Sequence, residues 1–309
     1  MIPISHHTPA PPMELHILHL LYSRMNLSAS ERRQYENLHK GYKGEQKLHD
    51  LLHKQLSPDY LVVNDLLLKS NHTEFQIDTL LIGNNTIYPL EVKNYEGDFY
   101  IQDDNWYVAS SGNEIRNPLL QLKRSEFLIR HLLQHARFRF SIKPSIVFIN
   151  QAFTLYQAPL NLPVIFPTQV QHYIEKLNAS SFKQMEKHKR LAKYFIDHHL
   201  PQSSHEKLPI YEYERLNKGI LCKSCSRFLS SFNYKKVVCN RCGCEEGLES
   251  AIKRSIIEFT TLFPNRKITT NTIHEWCYII ESKRTIRRIL IKNLIPVGRG
   301  RYTYYLFKD

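Results

Sequence analysis

Five of the chain's six cysteines, Cys222, Cys225, Cys239, Cys242 and Cys244, fall within 23 residues, and only Cys277 lies elsewhere. A C-x2-C pair, thirteen residues and a second C-x2-C pair put two sets of thiolates on two tight turns, as a tetrahedral Zn²⁺ requires. Cys222, Cys225, Cys239 and Cys242 are the expected ligands of a structural Zn²⁺, with Cys244 as the alternative to Cys242. A second constellation lies upstream, in two runs of period two, Phe75 to Ile82 and Ile87 to Val92, separated by Asn84-Asn85. That dipeptide predicts a two-residue hairpin turn. With Gly83 facing Thr86, Asp78 falls opposite Glu91, while Lys93 shares the face of Glu91 and lies opposite Gln76. Two carboxylates facing each other at about 5 Å destabilise a hairpin unless a cation or a proton intervenes. Mg²⁺ (or Mn²⁺) on Asp78 and Glu91, completed by phosphate oxygens and water, meets that objection. With a lysine to orient or deprotonate the water, these residue types suit metal-assisted phosphodiester hydrolysis. Pro89 interrupts the second run and cannot donate to a ladder, so a bulge there shifts the register by one residue.

The elements that must position these groups are read from periodicity. A helix is expected from Met13 to about Met25. A longer helical pattern runs from Ser30 to Leu56, interrupted near Gly41 to Gly44 and stopped by Pro58. After the hairpin come short strands at 99–101 and 106–108, a helix over 118–138, strands at 145–149 and 164–166, and helices over 169–177 and 182–199. This alternation predicts an α/β domain ending near 200, and the polar stretch 201–216 reads as a linker.

In order along the chain, Gly41-Tyr42-Lys43-Gly44-Glu45, Gln76-Ile77-Asp78, Glu91-Val92-Lys93-Asn94 and Asn117-Pro118 with Gln121 resemble the nuclease-related domain, NERD, a branch of the PD-(D/E)xK nuclease superfamily. The resemblance covers about 40–150, more loosely to 200. It implies a restriction-endonuclease-like core, a mixed sheet flanked by helices. It further implies Asp78 and Glu91 as metal ligands, Lys93 as the water-activating lysine, Glu45 as an auxiliary ligand and Gln121 as a positioning residue.

The last sixty residues show three helical segments, 251–263, 270–277 and 281–293, then two strands around Gly298-Arg299-Gly300. That order resembles a winged helix. Ile286, Ile289 and Leu290 make an apolar stripe on the third helix, leaving Lys283, Arg284, Arg287 and Arg288 outside. With Arg299 and Arg301 of the wing they are the expected nucleic-acid contacts. The charge agrees: the chain is +13 overall, residues 1–200 carry 22 basic and 19 acidic side chains, and residues 201–309 carry 20 and 10. A basic excess confined to one third favours a polyanionic partner, DNA before RNA, with a protein partner for the winged-helix-like region as the other use of that surface. No stretch approaches the roughly 20 apolar residues that cross a bilayer, so no membrane role is expected and the reading is cytoplasmic.

The expectation is thus an α/β protein with five parts: an N-terminal helical extension (1–39), a NERD-like nuclease domain (40–200), the linker (201–216), a zinc ribbon (217–249) and a winged-helix-like DNA-binding domain (250–309). Its expected activity is Mg²⁺-dependent hydrolysis of DNA. The alternative is a non-catalytic DNA-binding regulator or adaptor with the α/β domain as scaffold.

Overall fold

The computed structural model describes residues 11–180, 182–203, 207–232 and 235–308. The chain divides into two compact units. One comprises Met1–Met13 and Glu36–Glu206, the other Glu14–Tyr35 and Lys207–Asp309.

Two helices open the chain, α1 (Met13–Arg24) and α2 (Ala29–Gln55). Ser28 and Glu31 start α2 as a reciprocal cap, the Glu31 amide donating to Ser28 Oγ (3.3 Å) and the Ser28 amide to Glu31 Oε2 (2.7 Å). The expected interruption at Gly41 to Gly44 does not occur. Gly44 serves close approach instead: a Cβ there would stand 2.8 Å from Cβ of Asn94, so only glycine lets α2 lie against that strand end.

In the first unit, β1 (Leu61–Ser70), β2 (Thr73–Gly83) and β3 (Thr86–Lys93) form an antiparallel meander. Its turns are Asn71-His72 and Asn84-Asn85, all four with positive φ, the signature of type I′ hairpins. Next come β4 (Gly97–Gln102), β5 (Asn105–Val108), β6 (Glu114–Ile115), α3 (Pro118–His135), β7 (Ser141–Ile142), β8 (Ser145–Phe148), β9 (Phe153–Tyr156), β10 (Val164–Ile165), α4 (Val170–Asn178) and α5 (Glu186–Asp197). The main sheet has the order β1-β2-β3-β8-β10, with β3, β8 and β10 parallel and the short β7 also beside β3. One core packs β1 and β2 against α3 and α5. Another packs the sheet against α2 and α4. A second sheet, β6-β5-β4-β9, closes over Trp106, Phe148 and Phe153.

The hairpin keeps the expected register from Gly83↔Thr86 to Thr79↔Leu90. Pro89 introduces no bulge. In a two-residue hairpin the odd positions of β3 point their N–H away from β2. Pro89 falls where β3 passes from β7 (ending at Ile142) to β8 (starting at Ser145), so its missing donor leaves no ladder bond broken.

In the second unit, α1 supplies Ile17, Leu20 and Leu21 to a core shared with Tyr213, Leu216 and the rest of the C-terminal region. Part of the stretch read as an N-terminal extension and part of the stretch read as a linker are therefore core. β11 (Ser231–Phe232), β12 (Lys236–Val238) and β13 (Glu245–Gly247) form a small antiparallel sheet beside the cysteines. α6 (Leu248–Leu262), α7 (Thr270–Cys277) and α8 (Lys283–Asn293) follow, then β14 (Ile295–Val297) paired with β15 (Tyr304–Leu306). Thr269 and Ser282 cap α7 and α8 by accepting the amides of Thr272 and Thr285. Trp276 and Cys277 are fully buried, as core residues.

Candidate active site and metal centre

The strand pair β2–β3 stops one rung short of the carboxylates: Thr79↔Leu90 is the last pair. Like charges directly opposite repel, and the ladder ends where they would meet. Asp78 and Glu91 are both buried, at 8% and 6% exposure. Asp78 Oδ2 accepts the Val92 amide at 2.7 Å, a carboxylate standing in for the missing ladder acceptor. Glu91 lies in the part of β3 that pairs with β8, opposite Ile146. Lys93, two residues on, donates Nζ to Glu91 Oε1 at 2.7 Å and to Gln121 Oε1 at 3.3 Å. Gln121 Nε2 donates to the same Glu91 oxygen at 2.5 Å.

Gln121 reaches the strand end because Asn117-Pro118 starts α3 one turn earlier. Asn117 Oδ1 accepts the Leu119 amide at 2.9 Å and Pro118 presets the first helical φ. Glu45 comes from α2, held by the close packing at Gly44, by Asn94 Nδ2 donating to Lys40 O (2.8 Å) and by Lys47 Nζ donating to Ile149 O (3.0 Å). Gln76 does not join the group expected for it. Beyond Thr79 it has no rung on β3, and it donates to Asp65 Oδ1 at 3.0 Å instead.

Asp65 is the residue that sequence reading missed. On β1 it falls between the rungs Asn64↔Thr79 and Leu66↔Ile77, across from Asp78, and its φ is 51°. Leu61, Val63, Leu66 and Leu68 share one core cluster, as do Phe75, Ile77, Leu80 and Ile82. Regular alternation cannot place both odd and even positions on one face, so the two strands change phase together at Asp65 and Asp78. The only signal in the sequence is an acid inside the apolar run Leu61 to Leu68.

The electrostatics are one-sided. Burial, then the Asp65 and Glu91 carboxylates, push Glu45 up to about 7, with Lys93 acting the other way. Burial, then Glu91 and Glu45, push Asp78 well above the usual carboxylate range. Burial also raises Asp65. Burial pulls Lys93 down, but the Glu91 carboxylate reverses this and leaves the ammonium above the ordinary lysine value. Glu45, Asp78 and Glu91 thus act on one ammonium, with Asp65 acting on Glu45, and a divalent cation fits that carboxylate surplus: Asp78 and Glu91 would hold it, since Mg²⁺ is taken by one or two carboxylates with water completing the shell.

In the second unit, Sγ atoms of Cys222, Cys225, Cys239 and Cys242 all lie within 4.8 Å of one another, the one such group of three or more ligand atoms among the described residues. Cys222 to Cys242 and Cys225 to Cys239 are both 3.6 Å apart. Zinc–sulfur bonds of about 2.3 Å in a tetrahedron require roughly 3.8 Å between sulfurs, so the donor set fits Zn²⁺. Backbone amides of Cys242 and Arg241 hold the Cys239 thiol down to about 6. Cys244 stands outside the group, its Sγ directed to Glu245 O at 3.9 Å.

Lys283, Arg284, Arg287 and Arg288 are exposed on α8 above buried Ile286, Ile289 and Leu290, and Arg299 and Arg301 are exposed between β14 and β15. Arg288 and Lys292 line one pocket with Lys235, Leu248, Glu249 and Ile289. Arg301 stacks on Tyr302, and Tyr305 is buried between the strands and α7.

A family model described as nuclease-related domain, NERD, matches residues 40–149, the stretch that carries Glu45, Asp78, Glu91, Lys93 and Gln121. Comparison with curated proteins and with solved structures gives no match. The match supports a nuclease-related domain protein; a domain of that kind suggests nucleic acid as substrate and implies use of a divalent metal. No helix among the described residues is long and apolar enough to cross a membrane.

Proposed function

We propose that the chain is a nuclease of the PD-(D/E)xK type that hydrolyses phosphodiester bonds in DNA with Mg²⁺ or Mn²⁺, and that its C-terminal region, a zinc ribbon and a winged helix, holds the nucleic acid. The observation that carries the reading is the convergence of Glu91, Lys93 and Gln121 within 3.3 Å beside buried Asp78, inside the stretch matched by the nuclease-related family. When bound at Asp78 and Glu91, the metal supplies a more acidic water and neutralises phosphate charge. Glu45 adds an auxiliary carboxylate. Lys93 orients the attacking water and meets charge developing on the phosphate oxygens. Gln121 fixes the Glu91 and Lys93 side chains relative to one another. The exposed cations Lys283, Arg284, Arg287, Arg288, Arg299 and Arg301 would contact phosphates and groove edges.

The test is incubation of the purified full chain with labelled DNA and RNA and either metal, beside Asp78→Ala, Glu91→Ala and Lys93→Ala. Each substitution should abolish cleavage, a loss on the order of 10²-fold or more, while DNA binding stays largely intact. Charge reversal of Arg284, Arg287 and Arg288 should instead weaken binding and lower its salt slope by roughly 3. A zinc-loaded, folded protein that binds DNA but cuts no nucleic acid with either metal would replace this reading with that of a non-catalytic DNA-binding regulator.

A further inference from the structure

The near-neutrality of residues 1–200 is an average over an uneven distribution. Between residues 116 and 139 stand Arg116, Lys123, Arg124, Arg130, Arg137 and Arg139 against one acid, Glu126. The structure places this run on α3 and its two flanks. Leu122, Ser125, Leu128, Ile129, Leu132 and Leu133 are its buried face. Helical spacing collects Leu120, Lys123, Arg124, Phe127 and Arg130 into one stripe on the opposite side, every one of them exposed. Glu126 is engaged by Arg130 at 2.6 Å. Arg116, Lys123 and Arg124 make no ion pair among the described residues. Among these cations stand two large apolar side chains, Leu120 at 59% and Phe127 at 64% exposure, two turns or about 10 Å apart along the helix.

The position of this stripe matters as much as its charge. Arg124 is one turn beyond Gln121, and Gln121 touches both Glu91 and Lys93. The site itself gathers more carboxylates, Glu45, Asp78 and Glu91 with Asp65 beside Glu45, than its one ammonium offsets, a field that repels a polyanion. Unpaired cations on the adjoining helix turn offset that repulsion and raise the local concentration of phosphodiester chain. A protein-docking face would be expected to place its apolar residues centrally and keep charge at the rim. Here two free cations, Lys123 and Arg124, stand between two apolar side chains, with Arg116 exposed just ahead of the helix, the mixture that tracks a phosphate backbone while offering a ring to a base.

We propose that the outer face of α3, with Arg116 just ahead of it, is a docking surface for the phosphodiester backbone of a nucleic-acid strand entering the site, with Arg116, Lys123 and Arg124 on phosphates and Phe127 against a base or sugar. The proposal rests on the nuclease reading of the adjoining site. It assigns substrate contacts to the first unit itself, apart from α8.

The experiment uses the full chain carrying Glu91→Ala, so that binding is read without cleavage. Anisotropy of a fluorescein-labelled single-stranded DNA is followed against salt, with and without the triple change Arg116→Glu, Lys123→Glu, Arg124→Glu. Three lost phosphate contacts should lower the slope of log affinity against log salt by roughly 2, at about 0.7 per contact on a single strand. Phe127→Ala should weaken affinity and leave the slope unchanged. The uncharged triple Arg116→Gln, Lys123→Gln, Arg124→Gln, checked for an unaltered melting temperature, gives the same reading if the reversal variant fails to fold. In the cleaving protein the triple change should raise KM more than it lowers kcat. An unchanged slope and an unchanged KM in a folded variant would overturn the proposal while leaving the nuclease reading intact. A protein that cuts nothing yet loses slope in the triple variant would overturn the nuclease reading and leave this surface standing. Loss of binding to phosphatidylserine vesicles, with DNA binding unchanged, would make α3 a membrane contact and overturn the proposal.

Discussion

Each unit buries charge, and the two do so in opposite ways. In the C-terminal unit Arg24 is wholly buried, with Nη2 2.8 Å from Glu258 Oε2, and it also donates to the carbonyls of Asn217 (3.0 Å) and Gly219 (3.2 Å). Its guanidinium lies 4.0 Å from the Trp276 ring centroid. Arg254 continues the network, 2.8 Å from both Glu258 and Glu246. Two cations meet two anions, and the segments they join come from opposite ends of the chain. In the other unit Glu45, Asp78 and Glu91 share Lys93, and Asp65 adds a fourth carboxylate acting on Glu45, with His199 acting on Asp65. Taking an ion out of water costs several kcal/mol, and only partners of opposite charge offset it. The first network balances its charges, two against two, so it can hold structure together without an outside ion, with Arg24 Nε left unbonded among the described residues. The second carries a surplus that something from outside must neutralise. The four cysteine sulfurs are a surplus of the same kind, placed in the structural unit.

Removing the neutralising cation should therefore hurt most at the cysteines, where fold and metal are one equilibrium worth about 10–16 kcal/mol in small zinc modules. We expect the protein to purify with one equivalent of zinc, and Cys239→Ser or strong chelation to melt the β11–β13 region. Cys244→Ser should keep the metal. Zinc content by metal analysis, read beside hydrogen exchange of residues 217–249, decides it. A metal-free protein with full protection there would break the analogy between the two surplus clusters.

The next effect separates surplus from balance. Glu258→Ala strands Arg24 in the core and should cost about 3–5 kcal/mol. Asp78→Asn, in metal-free protein, should do the reverse and raise stability, because it removes one of several mutually repelling carboxylates and leaves the Glu91–Lys93 pair intact. Urea unfolding in the presence of a chelator that spares zinc measures both. If Asp78→Asn destabilises as Glu258→Ala does, the carboxylates are a structural network and the distinction fails.

The parts of this arrangement that local chemistry determines could be read from the sequence. Asn84-Asn85 sets a two-residue turn, the turn sets the register, and the register brings Asp78 to Glu91. Asn117-Pro118 sets the start of α3 and so the reach of Gln121. What escaped reading depends on partners far away in the chain. Gly44 looks like a helix breaker until Asn94, fifty residues on, is seen against it. Asp65 joins the acids only because β1 and β2 change phase together. Arg24 finds Glu258 across 234 residues, which is why α1 reads as an extension when it is core. The basic run on α3 was hidden by averaging over 200 residues.

The smallest expected effect sharpens the comparison further, because it changes the site without changing its charge. Gln121 is neutral and spans Glu91 and Lys93, donating to one and accepting from the other. Its contribution is orientation, and loss of orientation alone should lower kcat by roughly tenfold in Gln121→Ala, well short of the loss in Glu91→Ala. The Mg²⁺ concentration for half-maximal rate should not move, since no ligand charge has been removed. Gln121→Glu keeps the size and adds a fifth carboxylate, so it should displace that midpoint to lower Mg²⁺ and disturb the Lys93 contact. Kinetics of both variants over a metal titration distinguish the two roles. A Gln121→Ala protein as inactive as Glu91→Ala, with its metal dependence shifted upward, would make Gln121 part of the coordination shell, and the surplus of the site could no longer be assigned to its carboxylates alone.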